Sequence, residues 1–133
     1  MNEQIKFYSQ IGQDFIVASL MRHKTSGTFL DIGCNHPENI NNTYALEKYL
    51  GWRGVSIDFD ERWGPDWERV RPQSKFILTD ATKIDYLNLL EENNLSAEID
   101  FLSLDVDPPD ITFEILKILP LDKIKFNIIA YEQ

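Results

Sequence analysis

The sequence predicts an α/β fold: a three-layer sandwich around a mainly parallel, five-stranded sheet, with the strand near Leu30 at its centre. Three observations predict it. Apolar runs of strand length alternate with helical patterns along the chain, as in a parallel sheet covered on both faces. The runs are nearly continuous in apolar character, which suits burial on both sides. Acids stand at or near the ends of four of them, at Asp31, Asp58, Asp80 and Asp105. Right-handed crossovers put the C-terminal ends of all strands on one edge, where open α/β sheets bind ligands. The four acids therefore predict one rim and one ligand site.

Taken in order, residues 1–12 are a polar lead-in ending in Tyr8-Ser9-Gln10-Ile11-Gly12. Asp14 to Met21 has a helical period, with Ile16, Val17, Leu20 and Met21 on one face. Ser26-Gly27 marks a turn, and Thr28–Ile32 is the central strand, running into Gly33. A polar loop, Cys34–Asn42, precedes a helix over Thr43–Leu50, which either Asn41 or Asn42 can cap. Leu46, Tyr49 and Leu50 form its apolar face, and Gly51 stops it. Gly54–Asp58 is the second strand. Residues 60–72, with Trp63, Gly64, Pro65 and Trp67, suggest a loop containing a short helical piece.

Lys75–Thr79 is the third strand, Asp85–Glu92 a helix, and Ile99–Leu104 the fourth strand. Asp107-Pro108-Pro109-Asp110 breaks the chain before a helix over Ile111–Leu119, with Ile115, Leu116 and Leu119 inward, stopped by Pro120. Lys125–Tyr131 is the fifth strand.

At 133 residues the chain is expected to be a single domain, 1–133, and its 43% hydrophobic content supplies a core. A net charge of -9 leaves no electrostatic footprint for phosphate backbones, so no nucleic-acid partner is expected. No apolar run approaches the about 18 residues of a membrane span, so no membrane association is expected. The single cysteine, Cys34, has no partner for an internal disulfide, and no Cys/His zinc spacing or other metal motif occurs. A cytoplasmic location fits these features.

The turn after the first strand is not a dinucleotide fingerprint, because Gly33 is followed by Cys34, Asn35, His36 and Pro37. Asp31 ahead of it would repel a pyrophosphate. It favours a cationic ligand, such as an amino group or a sulfonium.

Asp31-Ile32-Gly33-Cys34-Asn35 resembles motif I of class I S-adenosylmethionine (SAM)-dependent methyltransferases. More narrowly, Tyr8-Ser9-Gln10-x-Gly12-Gln13-Asp14, Asn41-Asn42-Thr43-Tyr44-x-Leu46-Glu47-Lys48 and Gly51-Trp52-x-Gly54-Val55 resemble the FkbM-like methyltransferases. The likeness runs from Tyr8 to Glu132, through motifs whose order and spacing matter more than any one alone. It implies a Rossmann-like fold and SAM as cofactor. Asp31, Gly33, Cys34, Asn35 and Asn42 would line the cofactor. Asp58 would take the ribose hydroxyls, with Asp60 a nearby competitor. Phe59 would cover the adenine, and Asp80 and Ala81 would meet its edge. Asp105 or Asp107 would serve as the base for an acceptor hydroxyl. Cys34 as a nucleophile and His36 as a base are weaker readings, and Trp52, Trp63 and Trp67 read first as packing residues.

The sequence departs from the family at Asn35 and Pro37, which replace the later motif I glycines. Asp110 stands where the Asp-Pro-Pro-Tyr motif of amino-group methyltransferases has its aromatic residue, so nitrogen methylation is not carried over. The family sheet has seven strands, so the C-terminal hairpin is expected to be lacking here. The implied function is methylation of a sugar or small-metabolite oxygen. The alternative is a non-catalytic SAM-binding or interaction module that keeps only the cofactor half. The expected partners are a small-molecule or sugar acceptor and a second copy of the chain, paired through an unguarded fifth strand.

Overall fold

The alternation along the sequence becomes alternation in space. Helix α1 (Gln13–Leu20) leads into strand β1 (Thr28–Ile32). There follow α2 (Tyr44–Leu50), β2 (Arg53–Asp58), α3 (Gly64–Val70), β3 (Ser74–Leu78), α4 (Tyr86–Glu92), β4 (Glu98–Leu104), α5 (Pro109–Ile118) and β5 (Lys125–Tyr131). Single 3-10 turns at Glu61–Trp63 and Ala81–Lys83 precede α3 and α4. The computed structural model describes residues 4–132; residues 1–3 of the expected lead-in and residue 133 of the expected domain lie outside the described residues.

All five strands pair in parallel, in the order β3-β2-β1-β4-β5, so β1 is central as the sequence predicts. Side chains of a strand alternate between faces. Leu30 and Ile32 of β1 join Val55, Ile57, Leu102 and Leu104 against Tyr86 and Leu90 of α4 and Ile115 of α5. Phe29, on the opposite face, joins Phe101, Val17 and Ala18 of α1, Leu46 of α2 and Trp52. Leu30, Ile32, Val55 and Ile57 are wholly buried, each contributing roughly 1.5–3 kcal/mol of transfer free energy. Asp31 shares the Phe29 face by the same alternation, so it points toward α1 and α2 rather than into the larger core.

Two helices bury different faces from those expected. In α1, Val17 and Ala18 are inside, whereas Ile16 and Leu20 are 52% and 65% exposed. The reason is Asp14, which is fully buried and faces inward because its carboxylate accepts the backbone N–H groups of Tyr8 (2.6 Å) and Ser9 (3.1 Å). The lead-in is thereby folded back onto α1, and the helix turns to suit. In α2, Glu47 is buried beside Leu46, held by Arg71 from the end of α3. Gly51 ends α2 in the left-handed conformation, φ 68°, as expected. The uncertain stretch after β2 is more ordered than its sequence suggests. Asp60 caps the 3-10 turn by accepting from Arg62 N (2.8 Å), Pro65 opens α3, and Trp67 is buried.

Strand β5 lies at the edge of the sheet. Ile128 and Ala130 pack on the second core with Phe7, while Ile129 is 45% exposed. Among the described residues no helix is long and apolar enough to cross a membrane.

Candidate functional site

The site is built on the turn that follows β1. Backbone N–H groups of Gly33 and Cys34 both donate to Ile57 O, at 2.8 and 3.1 Å, so the turn leans on the end of β2. Gly33 has φ 82°, and a Cβ there would run into the Asp105 carbonyl and the Val106 side chain. The glycine is thus demanded by the loop after β4, not only by a ligand. Asn35 also takes a positive φ, 52°, and its N–H donates to Asp58 Oδ2 at 2.8 Å. Asp58 Oδ1 accepts from Asp60 N at 3.0 Å. Asp58 therefore ties the β1 turn to the end of β2. Its remaining lone pairs are open to hydroxyl donors.

Two clefts open along this rim. The first, about 600 Å³, is bordered by Asp31, Gly33, Cys34, Asn35, Asn42, Asp58, Phe59, Asp105 and Asp107. The second, about 440 Å³, is bordered by Asp80 and Ala81 and is largely apolar, with Ile57, Val106, Pro108 and Ile111 in its walls. Every sequence-predicted site residue lines one cleft or the other. Gly33, Asp58, Phe59 and Asp107 border both, and Phe59 is 70% exposed on the shared wall. One polar, acidic chamber thus adjoins one apolar chamber, with the β2 acid between them.

The acids are not equivalent. Asp31 is 3% exposed, and burial raises its carboxyl to about 6 despite the opposing pull of Arg71 and the Thr43 hydroxyl. Asp105 is raised to about 7 by desolvation first, then by the neighbouring Glu132, Asp107 and Asp31. Asp80 moves the other way, lowered chiefly by hydrogen bonds from the Thr82 hydroxyl (2.7 Å) and N–H (2.9 Å), which it accepts while capping its 3-10 turn. Cys34 is buried, and desolvation and the nearby Asp31 push its thiol well up, so it is a protonated wall residue and not a nucleophile. His36 borders the first cleft, but its Nδ1 accepts N–H groups from Glu38 (3.1 Å) and Asn39 (2.9 Å). The neutral ring then carries its proton on Nε2 and is a donor, which removes it as a base. Among the described residues no three His, Cys, Asp or Glu side chains converge as metal ligands.

The main residue that sequence reasoning missed is Arg71. Its side chain is wholly buried and reaches the loop before α2 from below. Nε meets Glu47 Oε1 at 2.7 Å, Nη1 donates to Pro37 O (2.9 Å) and Asn41 Oδ1 (3.2 Å), and Nη2 donates to Thr43 Oγ1 (2.7 Å). The guanidinium stacks 4.6 Å from the centroid of Trp67, whose Nε1 in turn donates to Asn35 O (2.7 Å). Thr43 Oγ1 passes the chain on to Asp31 Oδ2 at 3.2 Å. Neither asparagine holds the N-cap position of α2, which is Thr43, but Asn41 Oδ1 accepts the N–H groups of Thr43 (2.8 Å) and Tyr44 (2.9 Å) ahead of the helix. Asn42 instead donates to Ser103 Oγ (3.0 Å), bridging to β4 at the floor of the first cleft. Nothing in an isolated Arg-Pro after a helix signals this role.

No family model matches the chain, and no curated protein does. Solved structures do match it. A TehB-like SAM-dependent methyltransferase of Corynebacterium glutamicum is similar at 15% identity and TM-score 0.53, over 88% of this chain and 59% of its own. A protein named as a candidate rRNA methylase of Clostridium thermocellum is similar at 14% identity and TM-score 0.54, over 90% of this chain and 68% of its own. The 1,6-didemethyltoxoflavin-N1-methyltransferase of Burkholderia thailandensis, solved with its substrate and S-adenosylhomocysteine, has 20% identity and TM-score 0.49. This chain spans 42% of that protein's length. With five parallel strands and flanking helices in the order described, the fold is the Rossmann-like fold of these methyltransferases.

Proposed function

We propose that the chain binds SAM across the two clefts and belongs to a methyltransferase of the FkbM-like kind that methylates an oxygen of a sugar or small metabolite. The observation that carries this reading is the junction of an acidic chamber and a largely apolar chamber at Asp58 and Phe59. A ligand with a cationic end, a ribose and an adenine has the chemistry these walls offer in that order. Asp31 would face the cationic end, Asp58 the ribose hydroxyls, Phe59 and Ala81 the adenine faces, and Asp80 the adenine amino group.

When bound, SAM supplies an electrophilic methyl group: a bond forms from acceptor oxygen to carbon, the carbon–sulfur bond breaks, and sulfur keeps the electron pair. The protein's contribution is mostly positional, and holding reactants in line removes much of such a barrier. Gly33 and Asn35 shape the turn, Asn42 and Ser103 floor the chamber, and Asp105 or Asp107 stands ready to take the hydroxyl proton. The acidic walls discourage phosphorylated acceptors and nucleic acid alike. The fold, the motif order and the lack of a membrane-spanning helix among the described residues support this reading and a cytoplasmic setting.

Isothermal calorimetry with S-adenosylhomocysteine (SAH) tests it. Binding that Asp80→Ala weakens about tenfold, from one lost charge-assisted bond, is expected; no binding to the wild type would sink it. Binding without methyl transfer to any sugar hydroxyl would leave the non-catalytic module as the better description.

A further inference from the structure

The end of β5 carries a residue that neither the motifs nor the clefts bring forward. β4 and β5 run parallel with Leu104 opposite Tyr131, so Asp105 and Glu132 follow side by side in the same register. Glu132 N donates to Leu104 O at 3.0 Å, and Asp105 N donates to Ile32 O at 3.0 Å, which fixes both backbones. The two residues are thus neighbours across the C-terminal ends of β4 and β5, and after desolvation the Glu132 carboxyl is the first group that raises Asp105. Glu132 Oε1 also accepts from Gln13 Nε2 at 2.6 Å, a bond from the first residue of α1 to the last described residue. Asp105 borders the first cleft, and Glu132 does not.

We propose that Glu132, held by Gln13, is the positioning partner of Asp105, and that the two carboxyls act as one proton-accepting pair for a neutral, proton-bearing acceptor. The proposal rests on the methyl-transfer reading above. As the acceptor oxygen bonds to the methyl carbon, its proton passes to Asp105 and is held between the Asp105 and Glu132 carboxyls. No other reactant is needed. Desolvation is the first cause that raises the Asp105 carboxyl. A second one beside it raises its proton affinity toward the working range, which is what a general base requires.

The charged groups facing Asp105 are Glu132 from β5, Asp107 from its own loop and Asp31 from β1; desolvation comes first, and all three add to it in raising Asp105 to about 7. Gln13, from α1, is neutral: its Nε2 donates to Glu132, and its Oε1 accepts from Ile11 N (3.1 Å). Glu132 is the largest of the three and lies outside the cleft, so it can be changed without altering the cleft wall. The lead-in motif thereby acquires a role. Asp14 folds Tyr8 and Ser9 back, and Gln13 clamps the far end of the sheet.

The test is a carbon-13 titration of the Asp105 side-chain carboxyl in the whole protein, its signal identified by its loss in Asp105→Asn. In the wild type the midpoint is expected near 7. In Glu132→Gln, which keeps the shape and can still meet Gln13, it should fall by about one pH unit or more. Glu132→Ala is a second variant should the first fail to fold, and Asp107→Asn should move the midpoint less. An unshifted midpoint in both Glu132 variants, or a wild-type midpoint in the ordinary carboxylate range, overturns the pair. Release of SAH from SAM with water in the acceptor's place, corrected for SAM alone, should rise with pH through the same midpoint, and Glu132→Gln should shift that limb to lower pH. A rate that is flat with pH, or no greater than SAM alone, removes the base role. Failure of the cofactor reading is separate: a wild type that titrates as described but binds no SAH keeps the pair and loses methyl transfer.

Discussion

Asp31 is costly to the fold and is kept at the site. Its carboxyl is 3% exposed and is raised from 3.8 to about 6 by burial. A carboxyl raised in the folded state stabilises the protein most below its unfolded value. That stability is lost as pH rises through about 6. Asp31→Asn, which cannot ionise, should therefore be more stable than the wild type near pH 8, by roughly 1–3 kcal/mol. The gain should vanish near pH 4, and urea unfolding at the two pH values checks it. The same variant should lose affinity for SAM, because the cationic end loses its partner. Arg71 works in the opposite sense. It and Glu47 are 0% and 5% exposed at the side chain, a buried pair closed by further bonds to Pro37, Asn41 and Thr43. Arg71→Met strands the Glu47 carboxylate and should cost about 3–5 kcal/mol. The double variant with Glu47→Met should recover much of that. A single variant within about 1 kcal/mol of wild type would mean that the network is ornamental to stability.

The elements were legible in the sequence where one physical signal dominates. The strands were readable because parallel strands buried on both faces are continuously apolar, and Thr28–Ile32 matches β1 residue for residue. Helix α2 was readable at its end from Gly51. The misreadings occur where a polar group replaces an apolar one as the buried anchor. Helix α1 was expected to bury Ile16 and Leu20, but Asp14 goes inside because the lead-in supplies its donors, and hydrophobic period cannot register that. The site shows the same division. The strand-end acids were visible from their positions, whereas Arg71 and Glu132 act across the chain, through contacts that no local spacing encodes. The edge strand carries a prediction of its own. Among the described residues nothing pairs with the outer side of β5, and Ile129 is 45% exposed. Such an edge invites a second copy. Sedimentation across concentration is expected to show a dimer that Ile129→Lys breaks. A wild type that stays monomeric throughout would instead assign the guarding to the lead-in, whose Phe7 packs on the same core cluster as Ile128 and Ala130.

At the scale of the molecule, the sheet order brings all the strand-end acids to one rim, and the turn after β1 divides that rim into two chambers. The larger is acidic, and desolvation raises two of its carboxyls, Asp31 and Asp105, above the usual carboxylate range. The smaller is largely apolar. Asp58 is the point where they meet, already fixed by the N–H groups of Asn35 and Asp60. That fixing is what would let it receive two ribose hydroxyls without reorganising. The most direct measurement is therefore calorimetric titration of SAH into the wild type and into Asp58→Ala. The wild type should bind, and the variant should bind at least tenfold more weakly, since each lost charge-assisted bond is worth roughly 1.5–3 kcal/mol. Equal affinity in the two proteins would take Asp58 out of the site, and no heat with the wild type would contradict a SAM site on this rim.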